Sequence, residues 1–214
     1  MSLLLTSALL LAAGSAVAQG SSVSVDPFAT YLRIDTAVDS AGNTVPIALA
    51  ALGVSAGDTI VLKRVGDYVG ISAGADDQTA MVGVFSASSV LLAQTNLNRV
   101  QDAIDAGTDF VTGATFPNNL PTDIAEDFFV TGGGIQIQVP TGATHLFVAV
   151  PDNLYGDNQD PDGDFAVEIC CGVGPPVPVP GLTAWGIALA AALLVGTGFR
   201  ASWRRVAARA RGAR

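Results

Sequence analysis

Positive charge is what this sequence most lacks. Its 214 residues include 10 Lys and Arg and a single His, against 19 Asp and Glu. The shortage is sharper than the totals, because six of the arginines fall after residue 199. Between residues 19 and 175 only Arg33, Lys63, Arg64 and Arg99 oppose all 19 carboxylates, which leaves that stretch fifteen charges negative. Such a surface repels phosphate backbones and excludes nucleic acid as a partner, while it suits divalent cations or plain solubility. Cysteine is almost absent. Cys170 and Cys171 are adjacent, and a disulfide between neighbours is strained, so they cannot staple the fold; a bridge to another chain and an exposed vicinal pair both remain open. The lone histidine, His145, reads as a structural side chain at a strand start. No G-x-S-x-G elbow, phosphate loop or zinc-ligand spacing is present, so the chain reads as a non-enzyme. Glycoside hydrolysis, the least favoured alternative, would draw on paired carboxylates such as Asp123, Glu126 and Asp127. Asp123 reads instead as a turn cap, and Glu126 and Asp127 as facing water.

Long hydrophobic runs occur only at the two ends. Residues 1–18 hold an apolar run closed by Ala16, Val17 and Ala18, the small residues that a signal peptidase requires. They read as a cleaved signal peptide. Residues 182–199 carry no charge, and as a helix they would extend roughly 27 Å, just enough to cross a hydrocarbon core of about 30 Å. Trp185 stands at the start of this span, and the arginine-rich tail 200–214 comes after it. Indoles favour the headgroup region and arginines stay on the cytoplasmic side, so the preceding chain is expected outside the cytoplasm.

Val179, Pro180, Leu182, Thr183, Trp185, Gly186, the apolar span and the cluster containing Arg204 and Arg205 resemble the IPTL-CTERM sorting signals of Gram-negative bacteria. These are relatives of the PEP-CTERM signals handled by exosortase-type membrane proteases. The family usually has Thr where Gly181 stands and Ser where Thr183 stands. The resemblance implies anchoring in the inner membrane, an exosortase-like protease as a partner, and a destination at the cell surface or in the extracellular matrix. A plain single-pass anchor is the alternative.

Between the ends lies one domain's worth of chain, residues 19–171, then a Pro/Gly spacer, 172–181, that has no means to fold. Candidate strands are 28–35 (FATYLRID), 45–52 (a buried strand or a short irregular segment), 59–63 (TIVLK), 81–86, 90–94, 124–130, 135–139 (IQIQV), 145–150 (HLFVAV) and 165–169. The strict alternation at 135–139 marks the clearest half-exposed strand. Residues 96–106 (NLNRVQDAIDA) repeat Leu97, Val100 and Ile104 at helical spacing and predict the one helix of the domain. Short strands divided by Gly, Pro and Asp turns indicate a mainly β fold. The expectation is an antiparallel β-sandwich with one short helix, between an N-terminal signal helix and a C-terminal transmembrane helix.

Chemistry concentrates in 151–164 (PDNLYGDNQDPDGD). Asp152, Asp157, Asp160, Asp162 and Asp164 share this connection without one basic residue. Carboxylates so placed raise one another's pKa unless a cation joins them, and Ca²⁺ accepts six to eight oxygen ligands of mixed kind. A solvated acidic turn is the alternative. An EF-hand is excluded, because Ile169 would occupy the position that needs a bidentate Glu. Asp39, beside the turn cluster 40–43, reads as distant from this loop.

The segments 140–150 (PTGATHLFVAV), Asp152 with 154–158, and 163–167 (GDFAV) resemble the end of bacterial galactose-binding calcium lectins of the PA-I galactophilic type. The resemblance implies a Ca²⁺ held by Asp152, the carbonyl of Leu154, Asp157, Asn158 and the carbonyl of Tyr68, with Asp160 and Asp162 added by an insertion. Asp77 and Gln78 fall where that family contacts sugar. The two resemblances together imply an exported, surface-sorted, calcium-binding module for carbohydrate or matrix polysaccharide. A purely structural surface protein is the rival reading. The processing is directly testable: intact-mass measurement of protein released from cells is expected to give an N-terminus near Gln19 and a C-terminus before Trp185. Recovery of a species that retains Arg204 and Arg205 would reduce the tail to a plain anchor.

Overall fold

A computed structural model describes residues 20–173, less 72–73, 108–109, 113–114, 116–119 and 123, with side chains as far as Cys170. The chain divides into two compact units, Met1–Pro175 and Pro176–Arg214, and every described residue belongs to the first. The expected signal peptide, sorting motif, transmembrane span and arginine tail lie outside the described residues. Among the described residues no helix is long and apolar enough to cross a membrane.

The unit is mainly β, and its two larger sheets are antiparallel throughout. Strands β1 (Ser21–Ser24), β5 (Thr59–Val65), β11 (Ile135–Gln138) and β13 (Ala166–Val173) form one sheet in the order β1-β13-β5-β11. A second sheet runs β10 (Phe128–Phe129), β8 (Val82–Ser86), β12 (His145–Ala149), β4 (Ile47–Ala48), with β9 (Ala103–Ile104) also on β8. Two small pairs lie apart. The parallel pair joins β2 (Ala29–Thr30) to β3 (Gly42–Asn43), and the antiparallel pair joins β6 (Tyr68–Val69) to β7 (Asp76–Gln78).

Period-two alternation explains which faces meet. On β5, Ile60 and Leu62 are fully buried while Val61 and Lys63 are exposed, because successive side chains leave a strand on opposite faces. Ile60, Leu62, Ile137, Val167 and Ile169 of the first sheet share one core with Phe85, Phe128, Leu146 and Val148 of the second. The second sheet is covered on both faces. The other side of β8 and β12, Val82, Val84, Phe147 and Ala149, packs on Tyr31, Leu32, Val100 and Ile124. That is why 146–150 (LFVAV) is apolar without a break.

The loop layer over this outer face departs from the sequence expectation. Of 28–35, only Ala29–Thr30 is strand; Tyr31 and Leu32 are neighbours and both fully buried, so the stretch is not a strand with one buried and one exposed face. Residues 45–52 give β4 and then a 3₁₀ turn at Leu49–Leu52. Residues 90–94 contribute only an isolated bridge, Leu91 to Val100.

Residues 96–106 are not a helix. Asn98 and Asp102 take positive φ (45° and 54°), outside the helical basin. The backbone bonds outward as well: Leu92 N–H donates to Arg99 O at 2.8 Å, and Gln101 N–H to Val90 O at 3.4 Å. What overrides the helical spacing is Arg99, which a helix would expose but the fold buries completely. Its Nη1 donates to the carbonyls of Thr30 (3.2 Å) and Leu32 (2.7 Å), its Nε to Leu92 O (3.2 Å) and its Nη2 to Asn43 Oδ1 (2.5 Å). Burial lowers its pKa to about 10, slightly offset by Tyr155, so it stays charged at neutral pH.

Replacing Arg99 by Ala takes these donors from Leu32 O, Leu92 O and Asn43 Oδ1, at a cost of about 1–3 kcal/mol for each one left unpaired, while Thr30 O keeps the Thr44 N–H at 3.3 Å. We expect a loss of about 3–5 kcal/mol, read as a fall in the urea midpoint at constant m-value. Arg99→Lys, which keeps the charge but not the fork, is expected to recover only part of it.

Candidate functional site

The acidic connection leaves β12 at Val150 and returns to β13 after Asp164. Tyr155, 1 % exposed, pins its middle in the core, and Tyr155–Asp157 forms a 3₁₀ turn. Asn158 is 4 % exposed and its Nδ2 donates to Pro27 O at 3.1 Å. Gln159 then pairs with Val69, each N–H donating to the other's carbonyl at 2.8 and 3.1 Å. This pairing brings β6 and β7 against the loop. Tyr68, named from sequence as a ligand, therefore stands at the site although 84 residues separate it from Asp152.

Gly70 is the meeting point. A Cβ on it would lie 3.7 Å from Asp152 Oδ2 and 2.9 Å from Gln78 Cγ, so the missing side chain lets Gln78 and Asp152 approach from two directions. Tyr68 pairs with Gln78 across β6–β7, and its ring packs on Phe165 at 5.1 Å between centroids. Burial, and then the charge of Asp152, raise the Tyr68 hydroxyl to about 12. Asp77 is exposed and accepts a bond from Gln78 Nε2 at 2.9 Å. The sequence-derived residues Tyr68, Gln78, Asp152, Asp157 and Asn158 are thus gathered, with Leu154 on the rim.

Within this group two oxygens stand out. Asp152 Oδ2 and Asn158 Oδ1 are inaccessible to solvent and have no hydrogen-bond partner. Burial drives the Asp152 carboxyl up, the Asn153 N–H on its other oxygen, Oδ1, at 2.5 Å works against that rise, and Asp157 pushes it further up. A buried carboxylate oxygen and a buried amide oxygen left unpaired are costly, and both are hard donors of the kind that hold Ca²⁺.

Asp160 and Asp162 gather elsewhere in the loop. Their carboxylates and that of Asp76, on β7, bring one oxygen each within 4.8 Å of one another. Asp160 accepts from Gly163 N–H (3.0 Å) and Phe165 N–H (3.2 Å), and Asp162 from Asp164 N–H (3.3 Å). The Asp76 carboxyl is raised by burial first, then by Asp162, Asp67, Asp160 and Asp164. The single ligand set expected from sequence is therefore distributed over two neighbouring groups of carboxylates. Asp76 is absent from that expected set, although its place in a pair of adjacent aspartates beside Gln78 is an available signal.

Two expectations are corrected by the structure. Asp39 is not distant: its carboxylate accepts from Tyr155 N–H at 3.0 Å and Gly156 N–H at 2.8 Å. Asp127 does not face water. It is fully buried and accepts hydroxyl bonds from Thr112 and Thr115, because its neighbours on 122–130 bury against both sheets and carry it inside. Asp123 lies outside the described residues. His145 meets its expected place at the start of β12, with Nδ1 2.8 Å from Thr144 Oγ1. Comparison of the chain with protein-family models, with curated proteins and with solved structures finds no match.

Burial raises the Asp127 carboxyl more than the two threonine hydroxyls lower it, and Glu126 adds to the rise. A carboxyl whose folded pKa exceeds its unfolded value of about 3.9 gives stability that is complete below that value and lost as pH rises through the folded pKa. Without added divalent cation, the melting temperature should therefore fall as pH rises from about 4. Asp127→Asn should flatten that slope, and identical slopes in variant and wild type would contradict the assignment.

Proposed function

We propose that this chain is an exported calcium-dependent binding module whose ligand is a carbohydrate or matrix polysaccharide. The observation that carries the reading is the pair of enclosed, unpaired oxygens, Asp152 Oδ2 and Asn158 Oδ1, beside Asp157 and the strand of Tyr68. A divalent cation joined to both would offset their burial at once. Ca²⁺ fits a mixed set of carboxylate, amide and carbonyl oxygens in irregular geometry, whereas Mg²⁺ demands a near-ideal octahedron. Asp152, Asp157 and Asn158 would hold it through side chains, and Leu154 and Tyr68 through carbonyls. The bound ion would supply a Lewis-acidic contact for sugar hydroxyls, with Gln78 and Asp77 placed to give the hydrogen bonds that select among them.

Two sheets around a shared core support the finer reading of the fold as a lectin-like sandwich. The C-terminal motif of residues 179–186, with Arg204 and Arg205, supports sorting through the inner membrane by an exosortase-type protease to the cell surface. A calcium that only rigidifies the loop of a structural matrix protein is the second reading, favoured by the density of backbone bonds to Asp160 and Asp162.

A cation that binds only the folded state stabilises it by about 2.7 kcal/mol at a hundredfold excess over Kd, or roughly 5–10 °C for a domain of this size. The purified full chain is expected to show this shift with Ca²⁺ and to lose it with EDTA. Asp152→Asn should remove most of it. Glu168→Gln, which breaks an exposed 3.3 Å ion pair with Lys63, should leave it intact. If Asp162→Asn abolishes the shift and Asp152→Asn does not, the ion belongs to the Asp76 group. A glycan array run with and without EDTA then separates the binding module from the structural protein.

A further inference from the structure

Asp39 is tied to the cation loop by more than proximity. Its two carboxylate oxygens are divided between consecutive N–H groups of that loop, Oδ2 taking Tyr155 and Oδ1 taking Gly156. Oδ1 also takes its own neighbour's N–H, Ser40, at 2.7 Å. With three N–H donors on it, this carboxylate is committed to the backbone. The turn it holds is Tyr155–Asp157, whose start has no side-chain cap of its own. Immediately beyond the turn stands Asn158, and three residues before it stands Asp152.

The contact has no slack. A Cβ on Gly156 would lie 3.1 Å from both Asp39 Oδ1 and Ser40 Oγ. The opposite side of Asp39 is fixed too, for Val38 N–H and Asp39 N–H both donate to Asp35 O, at 3.0 and 2.9 Å. A short rigid turn thus presents one carboxylate to the backbone of another turn, 116 residues later.

We propose that Asp39 is the positioning residue of the cation site: it holds the 155–157 turn so that Asp157 and Asn158 face Asp152. This inference rests on the proposal that the site binds calcium. Asp39 touches no ion itself; it fixes the geometry of the residues that do. Residues in that role change metal affinity by about 10- to 100-fold when removed, with ligand identity unchanged.

The test is a Ca²⁺ titration of the full chain by calorimetry, with thermal melts of the cation-free protein alongside. Asp39→Ala is expected to weaken Ca²⁺ binding about 10- to 100-fold. Gly156→Ala keeps every charge but places a Cβ 3.1 Å from Asp39 Oδ1 and Ser40 Oγ, so that the contact must give by a few tenths of an ångström, and it is expected to weaken binding in the same direction. It thereby separates positioning from the loss of a nearby negative charge. Asp58→Asn is the control for a purely structural role, since Asp58 caps a turn in the same way, accepting Ser55 N–H at 2.8 Å. It should lower the cation-free melting temperature without moving Kd. If Asp39→Ala and Gly156→Ala bind Ca²⁺ as tightly as wild type, Asp39 is a turn cap and the inference falls. If wild type itself takes up no Ca²⁺, the calcium reading falls and the inference with it.

Discussion

One buried guanidinium decides how the loops of this protein are arranged. Arg99 has no carboxylate partner among its hydrogen bonds; it is neutralised by oxygen dipoles, the carbonyls of Thr30, Leu32 and Leu92 and the amide of Asn43. Three of those acceptors, on Thr30, Leu32 and Asn43, come from the two ends of the 30–43 excursion, so the arginine closes that excursion on itself. Asp39 rides on the closed loop and reaches the 155–157 turn, which stands between Asp152 and Asn158 of the candidate site. The order of dependence runs from a cation in the core, through the 30–43 excursion and the Asp39 carboxylate, to the enclosed oxygens of the candidate site. A charge this costly to bury holds its place only because each donor finds a fixed acceptor.

The electrostatic consequence reaches the site. With fifteen excess negative charges on residues 19–175, carboxylates cannot all be spread apart, and two groups of them fall on one connection. Most of these aspartates are tied down by backbone N–H groups, as Asp160 and Asp162 are. Asp152 keeps one oxygen outside that scheme. The difference between a turn and a ligand lies there, since a carboxylate saturated by its own loop has little left to offer an ion.

How much of the fold is legible in the chain depends on how local its cause is. The alternation of 135–139 buries Ile137 and exposes Gln136 and Gln138 as it predicts, because register with β5 needs only period two. The unbroken apolar run 146–150 belongs to a strand covered on both faces. β1 leaves no such trace: three of its four residues are serine, and it sits at a sheet edge with one partner, where little apolar content is required. The spacing of Leu97, Val100 and Ile104 is genuine but loses to Arg99, whose burial depends on partners as far as 69 residues away. Asp39 carries no signal at all, for nothing local tells a turn aspartate that its oxygens will be used by a distant backbone. Tyr68 and Asp152 are joined in the sequence only through resemblance, and the Val69–Gln159 pairing is the physical reason that they meet.

The position of β13 also fixes how the molecule meets mechanical load. It is the last described strand, and it lies between β1 and β5, hydrogen-bonded on both flanks. Tension between the chain beyond Val173 and an anchor at the opposite end of the strand acts along the strand axis and strains both ladders together in shear, rather than opening them one bond at a time. Rupture then requires the concerted loss of two rows of bonds, so resistance to pulling is governed by a high unfolding barrier more than by the equilibrium stability of the unit.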